Sequence, residues 1–261
     1  MSDPPFRVAR ADGVLEVTLT RGKANAIDAT TSRALGATFA AFRDDPALRV
    51  AILASGNPRF FSAGWDLHAA AAGEPPDAEY GVGGFGGLQA LPGLDKPVIA
   101  AVNGMCVGGG FEMALAADLI LAAEDARFAL PEIRAGTLAD AATIKLPRRI
   151  PYHVAMDLLF TGRWMPAAEA RQFGLVSEMV APDALLPRAR ALARTLADGP
   201  PLVFAAIKEV ARESEGVPFG QALARIAARG FPTVARLYAS EDQKEGARAF
   251  AEKRAPVWRG R

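Results

Sequence analysis

Apolar and polar positions alternate from Val14 to Thr20, with Leu15, Val17 and Leu19 on one face, which predicts a half-buried strand. Arg49 to Ala54 is a short apolar run and predicts a second strand. Between them Leu35, Phe39 and Phe42 recur at spacings of four and three, so Ala29 to Arg43 reads as a helix with one buried stripe. Asp28 stands where that helix needs an N-cap. Val98 to Val102, entered through Lys96-Pro97 and left through Asn103-Gly104, is a third strand. A glycine run and a helix-like Phe111 to Ala117 follow, and then a fourth strand from Leu119 to Ala122. Strands alternating with helices predict an α/β fold with a parallel sheet wound through right-handed crossovers.

From about Pro151 the pattern turns helical: Tyr152 to Phe160, Ala167 to Phe173, Asp183 to Leu196, Pro201 to Glu213, and Phe219 to Arg254 with interruptions. The last third is therefore expected to be all helix, with no internal repeat and no low-complexity tail. Gly73 to Gly87 breaks the pattern, with six glycines and two prolines and hardly an aliphatic residue. It predicts a long, mobile surface loop, either a tolerated insertion or a lid beside a ligand.

Composition narrows the chemistry. Of the 261 residues 51% are hydrophobic and 23% charged, enough apolar surface for a folded core. Thirty Lys+Arg against 29 Asp+Glu leave a net charge of +1, so the overall balance points neither to nucleic acid nor to an anionic membrane. An anionic ligand must then be met locally. Cys106 is the single cysteine, and His68 and His153 stand far apart, which argues against a disulfide and a metal site. The first residues lack a basic stretch followed by an apolar run, and no later apolar stretch reaches spanning length, so a cytoplasmic location is expected.

Two turns invite a ligand. A strand, then Gly104-Met105-Cys106-Val107-Gly108-Gly109-Gly110, then a helix, is the setting of phosphate and dinucleotide loops. The spacing fits neither: Met113 stands where a dinucleotide fingerprint needs glycine, and Phe111 stands where a phosphate loop needs lysine. What is left is a close-approach turn and a helix N-terminus with bare amides, suited to an anion or to an oxygen about to become one. Phe60 to Leu67 is a second turn of this kind. Either turn alone could be a plain strand-to-helix connection.

Ile99-Ala100-Ala101-Val102-Asn103-Gly104, Gly108-Gly109-Gly110 and Leu115-Ala116-Ala117-Asp118-Leu119 together resemble the signature of the enoyl-CoA hydratase/isomerase (crotonase) superfamily. Arg21 to Asp28, Ser62 to Leu67 and Phe250 to Arg254 resemble its other landmarks, in order along nearly the whole chain. The segments Lys23 to Asp28, Phe61 to Leu67 and Phe250 to Arg261 are most similar to the branch that handles crotonobetainyl-CoA.

The resemblance implies a crotonase-like (ClpP/crotonase) spiral of ββα units over residues 1–195 and a helical C-terminal trimerisation region over 196–261, giving a homotrimer or a hexamer of two trimers. It also implies a lyase that adds or removes water across C2–C3 of a short enoyl-CoA, with coenzyme A as part of the substrate and no permanently bound cofactor. By the same likeness the thioester oxygen lies between the amides of Trp65 and Gly109. Glu112 handles the water that becomes the 3-hydroxyl, and Glu132 exchanges the C2 proton. Lys23, Ala24, Ala63, Asp66 and Leu67 would line the pantetheine and adenine, and Phe250 and Lys253 would reach the adenine end from a neighbouring subunit. Lys253 could equally be a solvated helix residue. Two carboxyl groups suit this chemistry because burial side by side lets one act as acid while the other is base.

One segment departs from the family pattern. Ala139 stands where proline is usual, Ala141-Ala142 replace a glycine pair, and the stretch to Leu146-Pro147 is a residue short, which should reshape the wall beside the acyl group. A trimethylammonium group would need aromatic faces or a carboxylate, for which Trp65, Tyr80, Phe85 and Asp140 are candidates, each with ordinary packing as the alternative. Competing functions are a double-bond isomerase, a non-catalytic acyl-CoA binder and a nucleic-acid-binding homologue, the last lacking a clustered Lys/Arg helix face.

Overall fold

The computed structural model describes residues 4–261. The elements run β1 (Phe6–Ala11), β2 (Val14–Leu19), β3 (Ala26–Ile27), α1 (Ala29–Asp44), β4 (Val50–Ser55), β5 (Phe60–Ser62), β6 (Gly64–Trp65) and α2 (Leu67–Ala71). Next come β7 (Val98–Val102), β8 (Met105–Val107), α3 (Gly109–Ala116), β9 (Leu119–Ala123), β10 (Arg127–Ala129), α4 (Glu132–Ala135) and α5 (Asp140–Lys145). The chain ends with α6 (Tyr152–Thr161), β11 (Met165–Pro166), α7 (Ala167–Gln172), β12 (Glu178–Val180), α8 (Leu185–Ala197), α9 (Pro201–Glu213), α10 (Phe219–Ala227), α11 (Pro232–Ala239) and α12 (Glu241–Ala251).

Six strands form the large sheet in the order β1-β2-β4-β7-β9-β12, parallel except for the β1–β2 hairpin. The four strands expected from the hydrophobic pattern are its four central ones. A second sheet runs β11-β10-β8-β5, and β3 pairs with β6. Each of β4, β7 and β9 is followed directly by a short strand of the second sheet, β5, β8 and β10, and then by helix, with the two-residue β6 intervening between β5 and α2. This repeated strand, short strand and helix is the ββα spiral of the crotonase fold.

Packing explains the order. Leu15, Val17 and Leu19 of β2 are fully buried, and β4 and β7 are buried on both faces, as parallel strands covered by helices must be. Helix α8 packs on β2, β4, β7 and β9 through Leu185, Ala189, Ala193 and Ala197, a stripe at spacing four. The Asp28 side chain accepts from Thr31 N and caps α1, whose Leu35, Phe39 and Phe42 are fully buried. A separate small core joins Ala206, Phe231 and Val234 of the C-terminal region.

The last third is not all helix: β11 and β12 interrupt it, and β12 adds an edge to the large sheet beside β9. Both are two or three residues long, too short for an alternation to register. Among the described residues no helix is long and apolar enough to cross a membrane.

Candidate active site

The two glycine turns meet. Gly64 has φ +80°, and a Cβ there would lie 2.7 Å from both Gly109 N and Val107 O, so only glycine lets β6 sit against the start of α3. Gly109 is the first residue of α3 and so has an amide with no acceptor inside its own helix. On the other turn the amides flanking Trp65 are engaged, Gly64 N with Ser62 Oγ and Asp66 N with Ile27 O.

Both glutamates reach this junction from short helices. Glu112, in the first turn of α3, is only 7% exposed. Its Oε1 accepts from Ala142 N at 2.9 Å, and its Oε2 faces Gln89 Nε2 at 3.5 Å. Burial pushes its carboxyl above the usual range against the Ala142 amide, and the charge of Asp140 adds to the rise. Glu132 opens α4 after β10 and Pro131. Its Oε1 lies 2.6 Å from where a Cβ on Gly108 would be, so the bare backbone at the head of α3 makes room for it. Its Oε2 is buried and has no hydrogen-bond partner among the described residues. Burial raises its pKa to about 7, with Glu112 contributing through like charge.

Trp65, Gly109, Glu112 and Glu132 line one cleft of about 520 Å³, together with Tyr80, Phe85, Gln89, Leu138 and Asp140 among others. The glycine-rich segment forms one wall, and it is anchored. Glu74 Oε1 accepts from Trp65 Nε1 at 3.0 Å while Oε2 accepts from Ala29 N at 3.0 Å, and Gly86 N donates to Ser32 Oγ. Of its two readings, a tolerated insertion or a lid beside a ligand, its place on the cleft fits the second, but the segment is an anchored wall and not the mobile loop expected.

The altered segment lines the same cleft through Gly136, Thr137, Leu138 and Asp140. Gly136 ends α4 in the left-handed region, and alanine in place of a glycine pair favours the helix α5, whose buried Ala142 supplies the amide held by Glu112. The reshaped wall therefore orients an acid.

The residues expected at coenzyme A lie outside the cleft lining. Ala24 O accepts from Ala63 N at 2.9 Å, and Lys23 and Leu67 are exposed. Asp66 caps α2 through His68 N and Ala69 N and pairs with Arg21 at 2.6 Å, while Arg21 also reaches Asp28. Burial works against the Asp66 carboxylate, but Arg21 and the His68 amide outweigh it and hold its pKa low. Phe250 is 87% exposed near the end of α12, and Lys253 follows with φ +53°. Gln89, Glu74, Asp77 and the Ala142 amide were not foreseen. The first three stand in segments without periodicity, and a backbone amide has no side-chain signal at all.

The chain matches the family described as enoyl-CoA hydratase/isomerase over residues 9–261. It is 50% identical over 260 residues to a carnitinyl-CoA dehydratase of Salmonella typhi, covering 98% of each chain. It is 51% identical over 252 residues to a carnitinyl-CoA dehydratase of Citrobacter koseri, covering 95% of each. Among solved structures it is similar to an enoyl-CoA hydratase from Mycobacterium tuberculosis H37Rv, with TM-score 0.89 and 39% identity over 99% of this chain and 100% of that one. An enoyl-CoA hydratase from Geobacillus kaustophilus HTA426 has TM-score 0.88 at 34% identity, covering 99% of both. A family match over almost all of the chain, a shared fold and two acids at joined glycine turns lead to one conclusion: the chain belongs to the enoyl-CoA hydratase/isomerase family.

Proposed function

We propose that this enzyme is a dehydratase/hydratase that interconverts carnitinyl-CoA and crotonobetainyl-CoA by removing or adding water across C2–C3. The observation that supports it is the convergence of Glu112, Glu132, Gly109 and Trp65 on one cleft, in a chain half identical to carnitinyl-CoA dehydratases.

The thioester oxygen sits between the amides of Trp65 and Gly109, where enolate-like charge gathers. Loss of one donor of this kind typically costs about 3 kcal/mol of barrier. In dehydration Glu132 takes the C2 proton and the electron pair moves toward the thioester oxygen. The pair then returns to form the C2–C3 double bond as the C3–O bond breaks, and Glu112 gives its proton to the departing hydroxyl, releasing water. Hydration reverses each step, with Glu112 as base toward water and Glu132 as acid toward C2. Glu112, fixed by the Ala142 amide, suits the group that aims a water, and Glu132, with an oxygen unpartnered among the described residues, suits the group that exchanges a proton with carbon. These groups complete the reaction without a resident cofactor.

Lys23, Ala24, Ala63 and Leu67 hold the coenzyme A moiety. Asp66 takes part through its backbone, since its side chain is committed to Arg21 and to the cap of α2. Phe250 and Lys253 act on the adenine end in a neighbouring subunit. Residues 196–261 form the assembly region of a homotrimer or of a hexamer of two trimers, and the enzyme works in the cytoplasm.

Glu112→Gln and Glu132→Gln should each lower turnover of crotonobetainyl-CoA by about 10²- to 10⁴-fold while acyl-CoA affinity changes little. Solvent-deuterium exchange at C2 should vanish in Glu132→Gln and persist in Glu112→Gln. A rate retained in both variants refutes the assignment. An isomerase would tolerate loss of Glu112, and a pure binder would show no exchange in the unaltered enzyme.

A further inference from the structure

The lining of the cleft contains no lysine or arginine, yet besides the two catalytic glutamates it contains Asp77 and Asp140. Both aspartates are exposed, and among the described residues neither belongs to an ion pair, unlike Glu79, which pairs with Arg33. Their charge is unspent. Coenzyme A is itself a polyanion, so an acidic pocket around its acyl end cannot serve the carrier and must serve the acyl group.

The aromatic residues are arranged in sequence from the reacting centre. The Phe85 ring lies against Gly109, where an added Cβ would come within 2.4 Å of its Cε1. Tyr80 packs edge-on to Phe85 with ring centroids 5.3 Å apart, and its hydroxyl is turned to Pro76 O at 3.0 Å. Trp65 is pinned by Glu74 through its indole N–H. The field at this end of the cleft is negative: burial and then the charges of Glu74, Asp77 and Asp140 push the Tyr80 phenol up to about 12. A quaternary ammonium offers no hydrogen-bond donor, so it is recognised by aromatic faces and by charge at short range rather than by a direct polar contact. A substituent on C4 of the acyl chain, one bond beyond the carbon that bears the hydroxyl, would leave the glutamates and meet this wall.

We infer that Trp65, Tyr80 and Phe85 with Asp77 and Asp140 form a subsite that selects acyl-CoA substrates bearing a quaternary ammonium at C4. This rests on the proposed acyl-CoA dehydratase reading and adds the residues that choose the substrate. Phe85 links the two functions, since it touches the Gly109 turn on one side and Tyr80 on the other.

Two unreactive ligands of nearly equal shape test it on the full-length enzyme: γ-butyrobetainyl-CoA, with a trimethylammonium group, and 5,5-dimethylhexanoyl-CoA, with the neutral tert-butyl group in its place. Calorimetry should show the charged ligand binding about tenfold tighter or more. In Asp77→Asn/Asp140→Asn the ratio of the two affinities should close toward one, because the charged ligand alone loses its advantage. Tyr80→Leu should narrow the ratio in the same direction, and Tyr80→Phe should restore it. Equal affinity for both ligands in the unaltered enzyme, or a parallel loss of both in the variants, overturns the subsite. The ratio is read without turnover, so a failed dehydratase assignment would show instead as absent hydration of crotonobetainyl-CoA with the binding preference intact.

Discussion

Glu132 holds one carboxylate oxygen buried without a partner among the described residues, and a group so placed resists ionisation. The consequence for catalysis follows from counting protons. In the mechanism we propose, hydration needs Glu132 protonated and Glu112 ionised, while dehydration needs the reverse, and these are two arrangements of the same singly protonated pair. Both directions must therefore share one pH profile of kcat/KM. Glu132 is raised to about 7 by burial and by the charge of Glu112, so the last shared proton leaves as pH rises through about 7. Activity should fall tenfold per pH unit above that point in both directions, and it should fall again on the acid side, where both groups are protonated. An ordinary glutamate titrates near 4.3 and would put this limb far below neutrality. Measuring kcat/KM between pH 5 and 9 with each substrate checks this, and a profile flat from 6 to 9 would exclude the paired-acid scheme.

Elements differ in how far they could be read, and length decides it. The strands β2, β4, β7 and β9 have five or six residues and long apolar or alternating runs, so they stand out. The strands β5, β8 and β10 have three residues each and become strands only because the neighbouring chain is there to pair with. The hairpin strand β1 was missed for a different reason: it is exposed along most of its length and has no buried face to pattern. Glu112 and Glu132 were legible from the glycine run and the family motif, whereas the groups that tune Glu112, Gln89 and the Ala142 amide, depend on contacts between distant segments. The glycine-rich wall shows the same limit. Its composition reads as mobile, but Glu74 reaches two elements at once, the Trp65 indole and the first amide of α1. Glu74→Ala should release that wall, giving faster proteolytic cleavage between residues 73 and 87 and a raised KM, with a loss of stability of about 1–2 kcal/mol for the unpaired donors. Unchanged cleavage would mean that the glycine contacts alone hold the segment.

At the scale of the molecule the surface is uneven. The main core is closed over the large sheet, but the C-terminal helices leave Ile207, Phe219, Leu223, Tyr238 and Phe250 exposed, Phe219 by 81% and Phe250 by 87%. Large apolar groups are exposed elsewhere too, Leu138, Tyr152 and Phe160 among them, but residues 196–261 are the region we assign to trimer assembly, and exposed aromatic groups there suit a contact with another protein surface. Phe219 and Leu223 stand one turn apart on α10, so they share a face. Phe219→Glu/Leu223→Glu would place two charges on that face, and burying them in a contact would cost more than the contact returns. The double variant should run as a monomer by light scattering, and the unaltered enzyme as the trimer or hexamer we propose. Its affinity for acyl-CoA should fall as well, because Phe250 and Lys253 would no longer be brought to a neighbour's adenine end. The unaltered enzyme running as a monomer, or a monomeric variant with full affinity, would separate assembly from substrate binding.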